Sequence, residues 1–367
     1  MSVDYILNGQ GYGNVAAQLM SCNFDAGALR PFIGNDKRSY ISLQDGKNDD
    51  GGPKYRTVPL ANAAANLLRE EWKYIDLAVI EAATPRLRAW SDLRGSSGAL
   101  TIPQGMGKTV VESSRVKDIT PAKVSMDGLA QADMDVPGGD TIGVPLPIIH
   151  KDFRFSARQL AVSRNGQLPL DTTAASMAAR KVAEEIEQMT IGIGAGAGFE
   201  FAGYQIQGYT GFSDRLTYDI SNPTLGGWDP MTLVKEVIAM RKAAEDVGFY
   251  GPFKMYVSAD WSAILDEDYK QGTSTSSATT IRQRIMSIDN ISGITTLDYL
   301  SGFQILLVQL TPDVARAIVG MDLTTLQWEQ QGGMEIRLKV MAIMVPQLRA
   351  DFYNGTGIVH GMPSHNS

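Results

Sequence analysis

Gly105-Met106-Gly107-Lys108-Thr109 carries the residue types that end a phosphate-binding loop, where backbone N–H groups and a lysine cradle phosphate oxygens. That chemistry needs another glycine five residues before Gly107 and a helix after the loop. Ile102 holds the first place, and Thr109-Val110-Val111 reads as strand. Gly192-Ile193-Gly194-Ala195-Gly196-Ala197-Gly198 resembles a dinucleotide-binding turn, which must follow a strand and open a helix so that the helix N-terminus meets the pyrophosphate. Here the glycines follow a helical pattern and read as a helix terminator. Nucleophilic catalysis needs a base beside Ser, Thr or Cys. His150 is the one histidine ahead of His360 and His365; it ends an apolar strand and reads as a satisfied structural residue. Glu184 and Glu187, at i and i+3, have the spacing of a carboxylate pair, but with Glu185 they read as charged residues mostly on the outer face of a helix. No G-x-S-x-G elbow occurs. The histidines and the lone Cys22 lack the spacing of zinc or iron–sulfur ligands, so the expectation is no catalytic, metal or cofactor-binding residue and no cofactor.

The whole chain agrees with that reading. It has 367 residues, 44% of them hydrophobic, which is enough for a sizeable core of two or three domains or one large elaborated one. Only 20% are charged, against about 25% in an ordinary globular protein. A formal net charge of −7 argues against wrapping nucleic acid, because gripping phosphates needs clustered Lys and Arg. No secretory leader pattern stands in residues 1–20, and no run of 18 apolar residues occurs. Few charges, 37 glycines and 16 methionines suit a chain that covers its surface by assembly.

Residues 1–59 read as an arm, interrupted by glycines and balanced between basic residues and Asp, with Tyr5, Phe24, Phe32 and Tyr40 as anchors. Leu68, Trp72, Ile75, Val79 and Ala82 predict a helix over 60–83 with one buried face, and Pro85 follows its end. Residues 93–143 read as an extended ribbon. At about 3.3 Å per residue it would reach roughly 60 Å. The whole chain folded as a globule would have a radius of gyration of about 21 Å. Such a ribbon needs a partner surface. A proline-broken strand over 144–155 precedes a second helix over 171–191, with Ala175, Ala179, Val182, Ile186 and Met189 as its buried stripe. Residues 225–325 read as a separate α/β unit: a helix over 230–247 with Val234, Val237, Ile238 and Val247 inward, strands over 254–258 and 303–310, and a helix over 281–288. Strands return over 335–342 and 350–353. No internal repeat or sustained heptad occurs.

This order of elements resembles the major capsid proteins of tailed phages, of the Hong Kong ninety-seven type, and the encapsulins (linocin-type shell proteins). Glu71-Trp72-Lys73-Tyr74-Ile75-Asp76 is similar to the first helix of encapsulins. Gly143-Val144-Pro145-Leu146-Pro147-Ile148, continued by Asp152 to Arg158, is similar to their strand leaving the extended loop. Ala178 to Glu185 is similar to their spine helix, and Leu338 to Phe352 to the closing strand.

The resemblance implies an α+β phage capsid fold. Its parts would be an N-terminal arm over 1–59, an N-terminal helix over 60–92 and an extended β loop over 93–143. A peripheral domain with the spine helix would cover 144–224 and an axial α/β domain 225–325. Residues 326–367 would supply return strands and tail. It implies a homo-oligomer of pentamers and hexamers in an icosahedral shell around phage double-stranded DNA, without sequence-specific binding or a membrane, assembled in the host cytoplasm. Scaffolding, portal and decoration proteins would be separate chains, and no trimming of this one is expected. An encapsulin enclosing a cargo enzyme is the alternative, and a soluble α/β enzyme using carboxylates ranks behind both. The encapsulin helix that docks cargo peptides lies near the N-terminus, whereas about 60 residues precede its counterpart here, which favours the virus. Some members weld subunits by a Lys–Asn isopeptide bond, for which Lys108, Lys117, Lys123 and Asn354 are the candidates.

Overall fold

Trp72, Ile75, Val79 and Ala83 recur every three or four residues and lie buried along one face of the helix Arg69–Ala83 (α1) in the computed structural model. The described residues are 32–34, 36, 38–47, 53–59, 67–96, 98–117, 120, 122, 124, 126, 138–165, 172–224, 228–269, 279–330 and 334–363. The expected start of α1, over 60–66, lies outside them. Leu68 precedes the first helical turn, so it falls out of helical phase and stays exposed, while Leu67 is buried. The start of α1 is held by Glu71, whose Oε2 accepts from the Leu68 amide at 2.8 Å. A single 3-10 turn, Thr84–Arg86, carries the chain into a second helix, Arg88–Ser96 (α2). This helix lies partly inside the stretch expected to be ribbon. Gly95 and its nine-residue length hid it from sequence reading, yet Ala89, Trp90 and Leu93 are buried.

The strands sort into separate sheets. Phe32–Ile33 (β1), Ser39–Lys47 (β2) and Pro53–Pro59 (β3) form an antiparallel trio within the arm. Ala99–Thr101 (β4) precedes a hairpin of Val110–Val116 (β5) and Gly139–Pro145 (β6), paired residue for residue. Seven residues at about 3.3 Å each give this part of the ribbon a length of about 23 Å. Nearer the tip, Thr120, Ala122, Val124 and Met126 are not in strand, and the residues between and beyond them up to 137 lie outside the described ones. Pro147 interrupts the chain before Ile149–Ser156 (β7). Ala157–Asn165 (α3) and Thr173–Ile191 (α4) follow, α4 being the expected spine helix with its whole predicted stripe buried.

Glu200–Phe201 (β8) and Tyr204–Gln205 (β9) make a small hairpin before Leu216–Ile220 (β10). Pro230–Asp246 (α5) starts at Asp229, whose Oδ1 accepts from the Met231 amide at 3.1 Å. Phe253–Ser258 (β11), Trp261–Leu265 (α6), Ile281–Met286 (α7), Ile291–Leu297 (β12) and Ile305–Gln309 (β13) come next. Ala315–Gln330 (β14), Glu335–Leu348 (β15) and Ile358–Pro363 (β16) complete the chain.

A four-stranded sheet in the order β4-β14-β15-β7 carries α4, and α1 packs on α4. A five-stranded mixed sheet in the order β10-β16-β13-β11-β12 carries α5. The five-stranded sheet thus takes strands from 216–220 and 358–363 as well as from 225–325. Strand β14 runs across position 325 to pair with β15. Two readings fail in detail. Ile238 and Val247 are exposed rather than inward, since α5 buries a narrower stripe of Leu233, Val234, Val237 and Met240. Residues 350–353 form a turn rather than a strand. There the Asp351 carboxylate accepts from the Tyr353 and Gly355 amides at 2.9 and 2.6 Å, and Asn354 takes φ +64°.

Candidate functional site

The residues with chemical potential are placed apart from one another. Gly105–Gly107 is a 3-10 turn leading into strand β5, with no helix behind it. Its first glycine is there for space: a Cβ on Gly105 would run into the backbone of Gly320 on β14. Gly192 stops α4 at φ +106°, and Gly194 and Gly198 also take positive φ, as a terminator and turn require. His150 is half exposed beside Asp152 at 3.7 Å, so it is a surface residue rather than a buried structural one; residues 150 and 152 share the outward side of β7. His360, on the last strand, is the buried histidine. Burial and the Arg215 guanidinium push its imidazole down to about 4.

Glu184 pairs with Arg180 and Lys181 at 3.3 and 2.7 Å. Glu187 was expected on the outer face and is instead 2% exposed. The reason is α2, which covers that side of α4. Glu187 Oε1 accepts from the Ala89 amide at 2.6 Å and Oε2 from the Trp90 amide at 3.1 Å, capping the orphan N–H groups at the start of α2.

The base of the β5–β6 ribbon is fixed to the body, which the expectation of a freely projecting ribbon missed. Arg115 on β5 grips Asp140 on β6 with Nε–Oδ1 at 3.1 Å and Nη2–Oδ2 at 2.7 Å. Its Nη1 donates to the Asp351 carbonyl and to Asn354 Oδ1, each at 3.2 Å, and lies 3.6 Å from Asp214. Tyr204 packs against Gly143, where a side chain would collide with its ring, and its hydroxyl lies 3.2 Å from Glu112. Lys117 sits 6.0 Å from the Phe352 ring. Of the residues the resemblance names for crosslinking, Asn354 is thus engaged by Arg115 of its own chain, Lys108 is exposed and Lys123 lies outside the described residues.

The outer side of α1 is apolar where a solvent-facing helix should be polar. Tyr74, Leu77 and Ile80 stand three residues apart and are 57%, 55% and 60% exposed. The opposite side of the same helix is locked down by Glu71, which takes two hydrogen bonds from Arg164 on α3 at 2.9 and 2.7 Å. A rigid helix therefore presents an uncovered apolar stripe. Beside its C-terminal end, a cavity of about 530 Å³ opens against the first turns of α4, lined by Ala82, Pro85 and Met177 and by Arg86, Arg88 and Arg180. Among the described residues no three His, Cys, Asp or Glu side chains gather as a metal-binding group.

Known proteins are similar to this chain in sequence or in fold. Over 226 residues the chain is 27% identical to the type 1 encapsulin shell protein EncA of Myxococcus xanthus (strain DK1622), covering 61% of this chain and 72% of that protein. The virus-like particle from Pyrococcus furiosus superimposes with a TM-score of 0.56 at 16% identity, over 80% of this chain and all (100%) of that one. The capsid of Myoviridae phage XM1 superimposes with 0.55 at 10% identity, over 70% and 86% of the two chains. The capsid of the native GTA particle gives 0.52 at 12% identity, over 76% and 91%. The fold is therefore the α+β shell fold of phage capsids. Residues 62–361 match the model of the Family of unknown function (DUF6260), and the chain belongs to that family.

Proposed function

We propose that this chain is the major capsid protein of a tailed phage, assembling as pentamers and hexamers into an icosahedral shell around double-stranded DNA. The observation that carries the reading is a rigidly rooted ribbon on a body that also presents the apolar stripe of Tyr74, Leu77 and Ile80, within the fold of solved capsids. A monomer gains nothing from either feature; a shell subunit uses both. The extended loop over 93–143 lies over a neighbouring subunit, and the arm over 1–59 crosses adjacent ones. The four-stranded sheet with the spine helix α4 forms the peripheral domain, and the five-stranded sheet with α5 meets its copies at capsomer centres. The work is multivalent contact rather than catalysis. Several interfaces above about 1,000 Å² each make closure cooperative. A net charge of −7 suits an inner wall that leaves packaged DNA free to move. Scaffolding, portal and decoration proteins act as separate partners, and the product is a virion capsid built in the host cytoplasm.

One observation favours a second reading. The identity of 27% with an encapsulin shell protein supports a nanocompartment enclosing a protein cargo. Particles purified from the native source separate the two. Nucleic acid inside, read by absorbance ratio and nuclease protection, supports the virus; a co-purifying enzyme with empty absorbance supports the nanocompartment.

A further inference from the structure

We propose that the cavity between the end of α1 and the first turns of α4 is a binding site for the terminal phosphate of a small molecule, with Arg86, Arg88 and Arg180 as its donors. The proposal does not depend on the capsid reading. The cavity holds about 530 Å³, inside the roughly 300–1,000 Å³ range of small-molecule sites. Its polar lining is the three arginines with Thr173 and Ser176, and among the described residues no carboxylate lines it. The rest of the chain runs the other way, with a formal net charge of −7.

The neighbouring acids leave this charge unbalanced. Arg86 ends the turn Thr84–Arg86, and its guanidinium makes no ion pair or hydrogen bond among the described residues. Arg88 donates through Nη1 to the Thr296 carbonyl at 3.0 Å and lies 3.5 Å from Asp298, whose side chain is half exposed, so its other N–H groups stay available. Arg180 Nε lies 3.3 Å from Glu184 Oε1, yet it is shut off from water without a hydrogen bond. Glu184 is also shared with Lys181 at 2.7 Å. Arg86, Arg88, Arg180 and Lys181 thus meet only Glu184 and Asp298 among the described residues. The start of α4 adds to the deficit. This helix of 19 residues has no acidic residue in its first turn and no side-chain cap at Thr172, while Thr173 and Ser176 stand in that turn. Its positive end favours an anion. A guanidinium presents paired N–H donors in one plane, a match for two phosphate oxygens, and several of them together suit a terminal phosphate better than a single carboxylate. Beside the arginines, Ala82, Pro85 and Met177 form an apolar wall. The cavity is larger than a phosphate alone needs, and that wall leaves room for an organic part such as a nucleoside.

The test is isothermal titration calorimetry of the purified full chain at low salt, with inorganic pyrophosphate, ATP, citrate and a short DNA duplex as probes. Pyrophosphate should bind at one site per chain. Arg86→Ala should weaken it about fivefold or more. Arg86→Lys should recover part of that loss, because an ammonium keeps the charge but not the fork. Arg282→Ala, outside the cavity and paired with Asp266, should change nothing. Arg86 is exposed, so its variants keep the fold. Tighter binding of ATP than of pyrophosphate identifies an organic phosphate as the ligand, and ATP no tighter than pyrophosphate identifies free polyphosphate; both support the site. Three results overturn the proposal: no binding of pyrophosphate, binding that Arg86→Ala leaves unchanged, or citrate or the duplex, counted per phosphate, binding as tightly as pyrophosphate. The last would mark general attraction to anions. Size-exclusion chromatography of the same samples reports separately on shell assembly.

Discussion

Arg115→Ala should release the ribbon from the body while leaving the rest of the fold in place. The guanidinium makes two hydrogen bonds that cross from β5 to the 351–354 turn, each 3.2 Å long, with Asp214 adding attraction at 3.6 Å. Its side chain is 19% exposed, so water screens it only in part. A hydrogen bond to a charged group contributes about 1.5–3 kcal/mol, and the length of these two places them at or below the lower end, for about 2–3 kcal/mol together. Lost docking of that size multiplies the local opening equilibrium about 30- to 150-fold. Exchange at the amides of residues 113–116 and 351–355 should accelerate accordingly in unassembled subunits, with amides of α4 unchanged. Asp140→Asn cuts only the grip inside the ribbon and should leave residues 351–355 protected. A change under threefold at those residues in Arg115→Ala would refute the idea that this side chain roots the ribbon.

Replacing Tyr74, Leu77 and Ile80 together by Ser should leave thermal unfolding within a few degrees of wild type, because all three are exposed, yet should prevent particle formation by size-exclusion chromatography; normal particles would remove the stripe from the interface. Gly105→Ala should destabilise the chain by about 1–3 kcal/mol in urea, since the new methyl meets the Gly320 backbone, which has no side chain to turn aside; wild-type stability would contradict the close approach. His360 is held neutral, its value lowered to about 4 by burial and Arg215. The unfolded chain binds the proton more readily there, at an ordinary value of about 6.5, so stability is intact above that pH and falls by up to about 3 kcal/mol between 6.5 and 4. Glu187, with its folded value raised, has the opposite slope: its contribution falls as pH rises from about 4.5 to 7. The two slopes oppose each other in wild type, so denaturation of His360→Gln should show reduced acid sensitivity, and an unchanged acid slope would count against a buried neutral imidazole.

Helices α1 and α4 were legible because long amphipathic stretches bury a stripe at regular spacing, as Trp72, Ile75, Val79 and Ala175, Ala179, Val182, Ile186 do. The ribbon was legible from glycine and β-branched runs, and the fold from the order of these elements. Short elements were not. The nine residues of α2, with Gly95 inside, make no periodic signal, and the burial of Glu187 depends on α2 lying over it. One helix read alone gives a polar outer face; only the packed pair shows that the face is inside. The Arg115 anchor was equally hidden, because it joins residues more than 230 positions apart in sequence, with a separation of 236 to Asp351 and 239 to Asn354. The exposure of His150 and the burial of His360 were hidden for the same reason. A strand's inward side is set by its neighbours, and β7 turns position 150 outward while β16 lies between β10 and β13.

The central claim is that this chain builds a closed shell. Negative-stain electron microscopy of the purified full-length protein, across salt and protein concentrations, tests it most directly. Uniform closed particles with pentameric and hexameric capsomers are the predicted result. Monomers that persist under every condition would contradict it.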